Sequence, residues 1–251
     1  MTNISTTNNP VHPKKPLSDH VALVTGSSRG IGRAIAKKLA ELGAAVSLCG
    51  RDPQTLESTA GEIAKLSPRV LAIPANVTNP TQISALVQAT EERLGPITLL
   101  VNNAGIGNPG FGSIQDKSAS DWDLVLDTNL KSVFLVSRAV APLMIQRRRG
   151  DIVNISSLAG KNTFAGGGLY CASKWGLQGL SGCMAEDLRG YGIRVSVICP
   201  GSVATEFSGR IPKDPSKVLA PEDVAHAVAM LVLQGPRSFL SEVHLRPVSK
   251  P

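Results

Sequence analysis

The run Val21-Ala22-Leu23-Val24-Thr25-Gly26-Ser27-Ser28-Arg29-Gly30-Ile31-Gly32 decides how the chain is read. Residues 21 to 25 are a short apolar run, which predicts a buried strand. They open directly into a glycine-rich turn, after which Ile31, Ile35, Leu39 and Leu42 recur at helical spacing. Strand, glycine turn and helix in that order suit a bound dinucleotide. The glycines let the backbone bend sharply and approach a pyrophosphate, and the helix N-terminus offers free N–H groups and a positive dipole end. The spacing is G-x-x-x-G-x-G rather than G-x-G-x-x-G. Taken alone, the turn favours a bound dinucleotide, a tight strand-to-helix connection without a ligand being the alternative.

Working outward, Ala45 to Cys49 predicts a second strand that ends at Gly50-Arg51-Asp52. An acidic residue at this position can take the ribose hydroxyls of NAD, and an arginine the 2′-phosphate of NADP. Arg51 and Arg29 together would form a strong, charge-assisted phosphate site, while Asp52 keeps NAD open. Further strands are expected over 70–75, 98–101, 151–156, 194–199 and 241–246, with helices over 55–66 and 221–233. A long helical pattern runs from Asp121 to about Arg148, where Pro142 is expected to kink or break it. The alternation predicts one doubly wound parallel sheet of about seven strands with helices on both faces. Residues 1 to 18, polar and broken by Pro10, Pro13 and Pro16, are expected to be a flexible arm before one domain over 19–251.

Composition bounds the function. The 251 residues are 42% hydrophobic but only 4% aromatic, so the core must be built from Ala, Val, Leu and Ile. Net charge is +7, yet the basic residues are scattered and no aromatics interleave them, which argues against nucleic acid. The run Arg147-Arg148-Arg149 before Gly150 reads as a helix C-terminus with a glycine cap, or as a docking patch. Cys49, Cys171, Cys183 and Cys199 show no C-x-x-C spacing and the four histidines no ligand pattern, so no metal is expected. No apolar run reaches membrane-spanning length, and reduced thiols suit a cytoplasmic protein.

Chemistry concentrates at Tyr170-Cys171-Ala172-Ser173-Lys174 and at Ser157 upstream. A tyrosine and a lysine four residues apart share one helix face. The ammonium is expected to pull the phenol below its ordinary pKa of about 10, toward useful acid–base catalysis. Ser157, at the carboxyl end of the fifth strand, could hold a substrate oxygen against that phenol. Asn129 lies in mid-helix, where it is unfavourable without a reason; a solvent-facing side chain is the plain alternative. Gly176, Gly179 and Gly182 on the Tyr170 helix suggest a closely packed neighbouring backbone.

From about residue 18 onward the chain resembles the short-chain dehydrogenase/reductase family. The resemblance rests on Thr25-Gly26-x-x-x-Gly30-Ile31-Gly32, Asn102-Asn103-Ala104-Gly105, Asn129, Ser157, Tyr170-x-x-x-Lys174 and Pro200-Gly201, in that order. It implies a Rossmann fold and a catalytic set of Asn129, Ser157, Tyr170 and Lys174. Ser156 competes with Ser157, but Ser157 stands thirteen residues before Tyr170, as in the family. The resemblance further implies that NADPH or NADP, preferred over NAD, is held by Gly26, Ser28, Arg29, Gly30, Ile31, Gly32 and Arg51. Asn76, Val77, Asn103, Ala104 and Gly105 would line the adenine and ribose side, and Pro200, Gly201, Val203 and Thr205 the carboxamide side. Lys174 would also bind the nicotinamide ribose, and Asn129 would hold a water relaying protons to it.

The implied reaction is reduction of a small-molecule ketone, with Tyr170 as proton donor. The likeness is greatest to 3-oxoacyl-acyl-carrier-protein reductases, implying a thioester on acyl carrier protein or CoA. Three features depart from the pattern: Asn76 where the family often has Asp, a C-terminus without the glycine-rich ending of those reductases, and a short stretch between Thr205 and Pro221. An oxidative alcohol or sugar dehydrogenase and a dinucleotide sensor without turnover are the alternatives. A homodimer or homotetramer is expected through the long Asp121 helix and the Tyr170 helix.

Overall fold

The computed structural model describes residues 14–109, 112–208 and 214–249. Seven strands form a single sheet in the order β3-β2-β1-β4-β5-β6-β7, every adjacent pair parallel. The strands are β1 (Val21–Thr25), β2 (Ala45–Gly50), β3 (Val70–Pro74), β4 (Leu99–Asn102), β5 (Gly150–Ile155), β6 (Ile193–Pro200) and β7 (Glu242–Leu245). The helices are α1 (Gly30–Glu41), α2 (Pro53–Ala64), α3 (Pro80–Leu94), α4 (Ala119–Leu126), α5 (Ser132–Arg147), α6 (Gly168–Arg189) and α7 (Pro221–Val232).

Strand alternation divides the core in two. Ala22 and Val24 face α1 and α7, in a cluster with Ile35, Leu39, Val228 and Leu231. Val21 and Leu23 face the opposite layer, with Leu86 of α3, Val140 of α5 and Leu188 of α6. Strands covered on both sides must be apolar throughout, as β1 is. Each fully buried Leu or Ile contributes about 1.5–3 kcal/mol over exposure, so small aliphatic residues suffice where aromatics are scarce.

The order reverses between β1 and β4. After β3 the chain crosses back to lie beside β1, and the crevice between the carboxyl ends of β1 and β4 is the switch point where ligands of such sheets bind.

Several expectations need correction. Leu17, within the expected arm, is buried, and its N–H donates to the Leu42 carbonyl at 2.9 Å. The packed chain therefore begins before residue 19; residues 1 to 13 of that arm lie outside the described residues. Pro142 does not interrupt α5. Both Pro142 and Arg138, whose carbonyl loses its helical partner, are exposed, so solvent can take the orphaned group. The departure from α-helical geometry comes earlier, at a π-helical stretch over Asp127–Lys131 through which the helix continues. Gly150 does not cap α5 either. Arg148 adopts the left-handed conformation (φ 50°) at the C-cap, and Gly150 begins β5, where a Cβ would lie 2.4 Å from the Met144 sulfur. Of Gly176, Gly179 and Gly182 on α6, only Gly176 meets a close neighbour, the Leu130 side chain; nothing among the described residues lies within 4 Å of a Cβ at Gly179 or Gly182.

Candidate active site

The glycine turn is tied to β4 by one threonine and one asparagine. Thr25 Oγ1 accepts the N–H groups of Asn103 and Ala104 at 3.0 and 3.1 Å. The Asn103 amide nitrogen donates to the carbonyls of Thr25 and Gly26 at 2.9 and 3.0 Å. Asn103 thus holds the turn rather than facing outward. Only glycine fits here: a Cβ on Gly26 (φ 63°) would sit 2.8 Å from Ala104 Cα, and one on Gly32 2.2 Å from the Gly26 carbonyl oxygen.

The first turn of α1 carries no acidic residue, and its leading N–H groups have no partner within the helix. That bare backbone and exposed helix end fit the pyrophosphate of a dinucleotide, whose resident chemistry would be hydride transfer. Ser28 packs against β2, with its hydroxyl 3.1 Å from where a Gly50 Cβ would be, and its carbonyl accepts from Thr59 Oγ1 at 2.9 Å.

At the end of β2, Arg51 is exposed and makes no hydrogen bond or ion pair among the described residues. Arg29 is exposed too, but its Nη1 pairs with Glu206 Oε2 at 3.1 Å, tying the glycine turn to the chain after β6. Asp52 caps α2: Oδ1 accepts the Thr55 N–H at 2.7 Å and the Thr55 hydroxyl at 2.8 Å. The Thr55 N–H, more than the hydroxyl, holds this carboxyl below its ordinary range. Val77 is buried. Beside it, Asn76 Oδ1 accepts the N–H and hydroxyl of Thr78, both at 3.0 Å, in a local turn.

The interior group assembles on α6, the π segment and the end of β5. Asn129 is buried, not solvent-facing. Its Oδ1 accepts the Ile106 N–H at 2.7 Å, and its Nδ2 donates to the Ile106 carbonyl at 2.9 Å and to Ser173 Oγ at 3.1 Å. Ser173 Oγ in turn donates to the Tyr170 carbonyl at 2.8 Å. The Lys174 ammonium is buried, donates to the Ile155 carbonyl at 3.0 Å and lies 5.8 Å from the centre of the Tyr170 ring. Gly105 passes close by; a Cβ there would be 3.2 Å from Asn129 Oδ1 and 3.8 Å from Lys174 Nζ.

Ser157, not Ser156, meets the phenol, through a side-chain hydrogen bond to Tyr170. Ser156 turns inward, within 3.5 Å of the Lys174 carbonyl and accepting from Gln178 Nε2 at 3.0 Å.

The Tyr170 pKa reverses the expectation. Burial pushes the phenol up to about 12, the Ser157 hydrogen bond pulling the other way. Lys174, itself driven down to about 8 by burial, is not what sets the tyrosine. The same desolvation that lifts the phenol weakens the cation expected to lower it.

Three contributors escaped sequence reading. Ser173 links Asn129 to the backbone of Tyr170. A buried ladder joins Asn102 Nδ2 to Ser137 Oγ (3.1 Å) and Asn154 Oδ1 (2.8 Å), and Asn154 Nδ2 to Ser181 Oγ (2.9 Å), locking β4 and β5 to α5 and α6. Phe207 lies with its ring centre 6.0 Å from that of Tyr170. Polar residues at inward positions of β4 and β5 were a readable signal for the ladder; nothing in the sequence marked Phe207. Thr205 Cγ2 sits 3.4 Å from a Cβ position on Gly30, so this segment lies over the glycine turn. Pro200 is buried at the end of β6, Gly201 N–H donates to the Leu245 carbonyl at 2.8 Å, and Val203 bridges to Leu219. Residues 209–213 of the short stretch between Thr205 and Pro221 lie outside the described residues.

Comparison with known proteins follows the same lines. A metagenomic short-chain oxidoreductase solved in complex with NADP is 41% identical, covering 94% of this chain and 100% of its own, with a TM-score of 0.83. A variant of actinorhodin polyketide ketoreductase solved with NADPH is 31% identical, covering 91% of this chain and 96% of its own, with a TM-score of 0.82. An uncharacterised oxidoreductase of Staphylococcus aureus is 31% identical over 92% of this chain and 99% of its own length. The glycine betaine reductase of Emericella nidulans is 34% identical over 95% of this chain, which spans only 19% of that much longer protein. The short chain dehydrogenase family matches residues 20–216. With its glycine turn, its sheet reversal, its half-buried tyrosine and its buried lysine in place, the chain belongs to the short-chain dehydrogenase family of NAD(P)-dependent oxidoreductases.

Proposed function

We propose that the protein is an NADPH-dependent ketone reductase in which Asn129, Ser157, Tyr170 and Lys174 form the catalytic group. The observation that carries this reading is the Tyr170 phenol, hydrogen-bonded to Ser157, with the Lys174 ammonium 5.8 Å from its ring centre. At neutral pH the phenol stays protonated and is ready to donate. Bound NADPH would supply the hydride. Ser157 and Tyr170, hydrogen-bonded to one another, hold the carbonyl oxygen, and the Tyr170 O–H bond breaks as that oxygen gains negative charge. The product is an alcohol; the tyrosinate left behind regains its proton by way of Lys174, whose pKa near 8 lets it exchange with solvent around neutral pH.

Two features support NADPH over NADH. Arg51 is uncommitted at the end of β2, and Asp52, the residue that would favour NAD, is occupied in capping α2. The relatives solved with NADP and NADPH point the same way. A 3-oxoacyl thioester on a carrier protein or CoA remains one substrate class among small ketones. The deciding experiment follows cofactor oxidation with NADPH and NADH over acyl thioesters, diketones, ketosteroids and sugars. Turnover of a ketone with NADPH is expected; its absence across the panel would revive the dinucleotide sensor.

Self-association is part of this reading. Trp122, Leu124, Phe134 and Trp175 are exposed on α4, α5 and α6, large apolar side chains for one solvent-facing layer. Trp175→Glu is expected to lower the mass seen by light scattering, and an unchanged mass would remove this face as the interface.

A further inference from the structure

The parallel register of β6 and β7 sets Cys199 beside His244 and Val197 beside Glu242. Residues two apart on a strand share a face, so Cys199, Glu242 and His244 project to the same side at the edge of the sheet. Their donor atoms lie within 4.8 Å of one another. Glu242 Oε1 is 3.5 Å from Cys199 Sγ, 2.8 Å from His244 Nε2 and 2.9 Å from Lys161 Nζ. Gln178 closes the cluster from α6, its amide nitrogen 3.0 Å from the sulfur. The chemistry of the catalytic group uses none of these side chains.

We propose that Cys199, Glu242 and His244 form a binding site for Zn²⁺ or a similar borderline-soft divalent cation. Sulfur, imidazole and carboxylate are the three ligand types zinc takes, and three protein ligands leave a fourth position open. Turning the Gln178 amide would present its oxygen there; solvent is the other candidate. Lys161 already places positive charge on Glu242, so the carboxylate sits where a cation is wanted, and the metal replaces the ammonium. Binding forms a metal–thiolate bond and releases the Cys199 proton to solvent. Burial keeps that thiol protonated, up to about 11, so the metal itself must displace the proton. Only the sheet register joins Cys199 to residues over forty positions later, which is why no spacing in the sequence pointed to the site.

The test is a Co²⁺ titration of the untagged full chain, read by thiolate-to-cobalt charge-transfer absorption and reversed with Zn²⁺. One equivalent per chain is expected. Cys199→Ser should abolish the band, and Cys183→Ser, at the one exposed cysteine, should leave it unchanged. His244→Gln should weaken binding by at least the about tenfold that loss of a supporting contact costs. Lys161→Gln removes the competing ammonium and should tighten binding, a gain that damage to the fold would not produce. A missing band, a band that survives Cys199→Ser or disappears with Cys183→Ser, or weaker binding by Lys161→Gln would overturn the site.

Discussion

The two halves of the candidate active site are built on opposite terms. At the interior end every polar atom of Asn129 is bound, Ser173 is buried, and Lys174 is out of solvent. At the rim, Arg29 and Arg51 stand in water, one in an exposed ion pair and the other in none among the described residues. In the interior, desolvation dominates and reverses the simple charge argument for Tyr170. At the rim, charges are screened and count only once a ligand phosphate arrives. Geometry is set in advance at one end, and the other holds its charges in solvent.

Tyr170→Phe should have the largest effect. It removes the donor while sparing the ring contact to Phe207, so kcat/KM should fall by about 10²–10⁴-fold, the range of general acid catalysis, with thermal stability almost unchanged. Intact turnover would end the acid role. Next comes Asn129→Ala, which strands the part-buried Ile106 N–H and carbonyl. Each stranded group costs about 1–3 kcal/mol, so a clear loss of stability by denaturant unfolding is expected alongside lost activity. Normal stability would mean that the π segment does not depend on this side chain.

The rim predicts a selective change. Arg51→Ala should raise KM for NADPH by about tenfold or more, from loss of charge-assisted hydrogen bonds of about 1.5–3 kcal/mol, while KM for NADH stays put. Equal changes for both cofactors would remove Arg51 from the phosphate site.

The smallest effect is a pH profile. The Lys174 pKa falls on folding, from 10.5 to about 8. Between those values the unfolded chain binds more protons than the folded one, so stability from this group rises with pH from about 8 to 10.5. Tyr170 moves the other way, from 10.0 to about 12, and lowers stability above pH 10. Lys174→Met should flatten the rise between pH 8 and 10 in denaturant midpoints; a persisting rise would assign it to another group.

These contrasts also explain what could be read from the chain alone. The strands were legible because burial on both faces forces apolar runs, and β1 stands as the sequence predicts. The glycine turn was legible because Gly26 and Gly32 admit no side chain. Less visible was anything decided by burial or register. The rise in the Tyr170 pKa needs the layers assembled around it. Pro142 is harmless because it faces solvent, and the Cys199–His244 pairing exists only across two strands. Arg148 in a left-handed cap shows local preference yielding to the entry of β5.

The π-helical turn at Asp127–Lys131 has one more consequence. Such a turn accommodates one residue more than an α-helix would in the same span. Deleting a single residue there would allow α4 and α5 to join in unbroken α-helical register. Side chains on either side of the cut would then be offset by about 100° around the axis, from 3.6 residues per turn. The extra residue works as an angular spacer, letting α5 keep its grip on the sheet while the π segment turns the Asn129 amide onto Ile106 and Ser173.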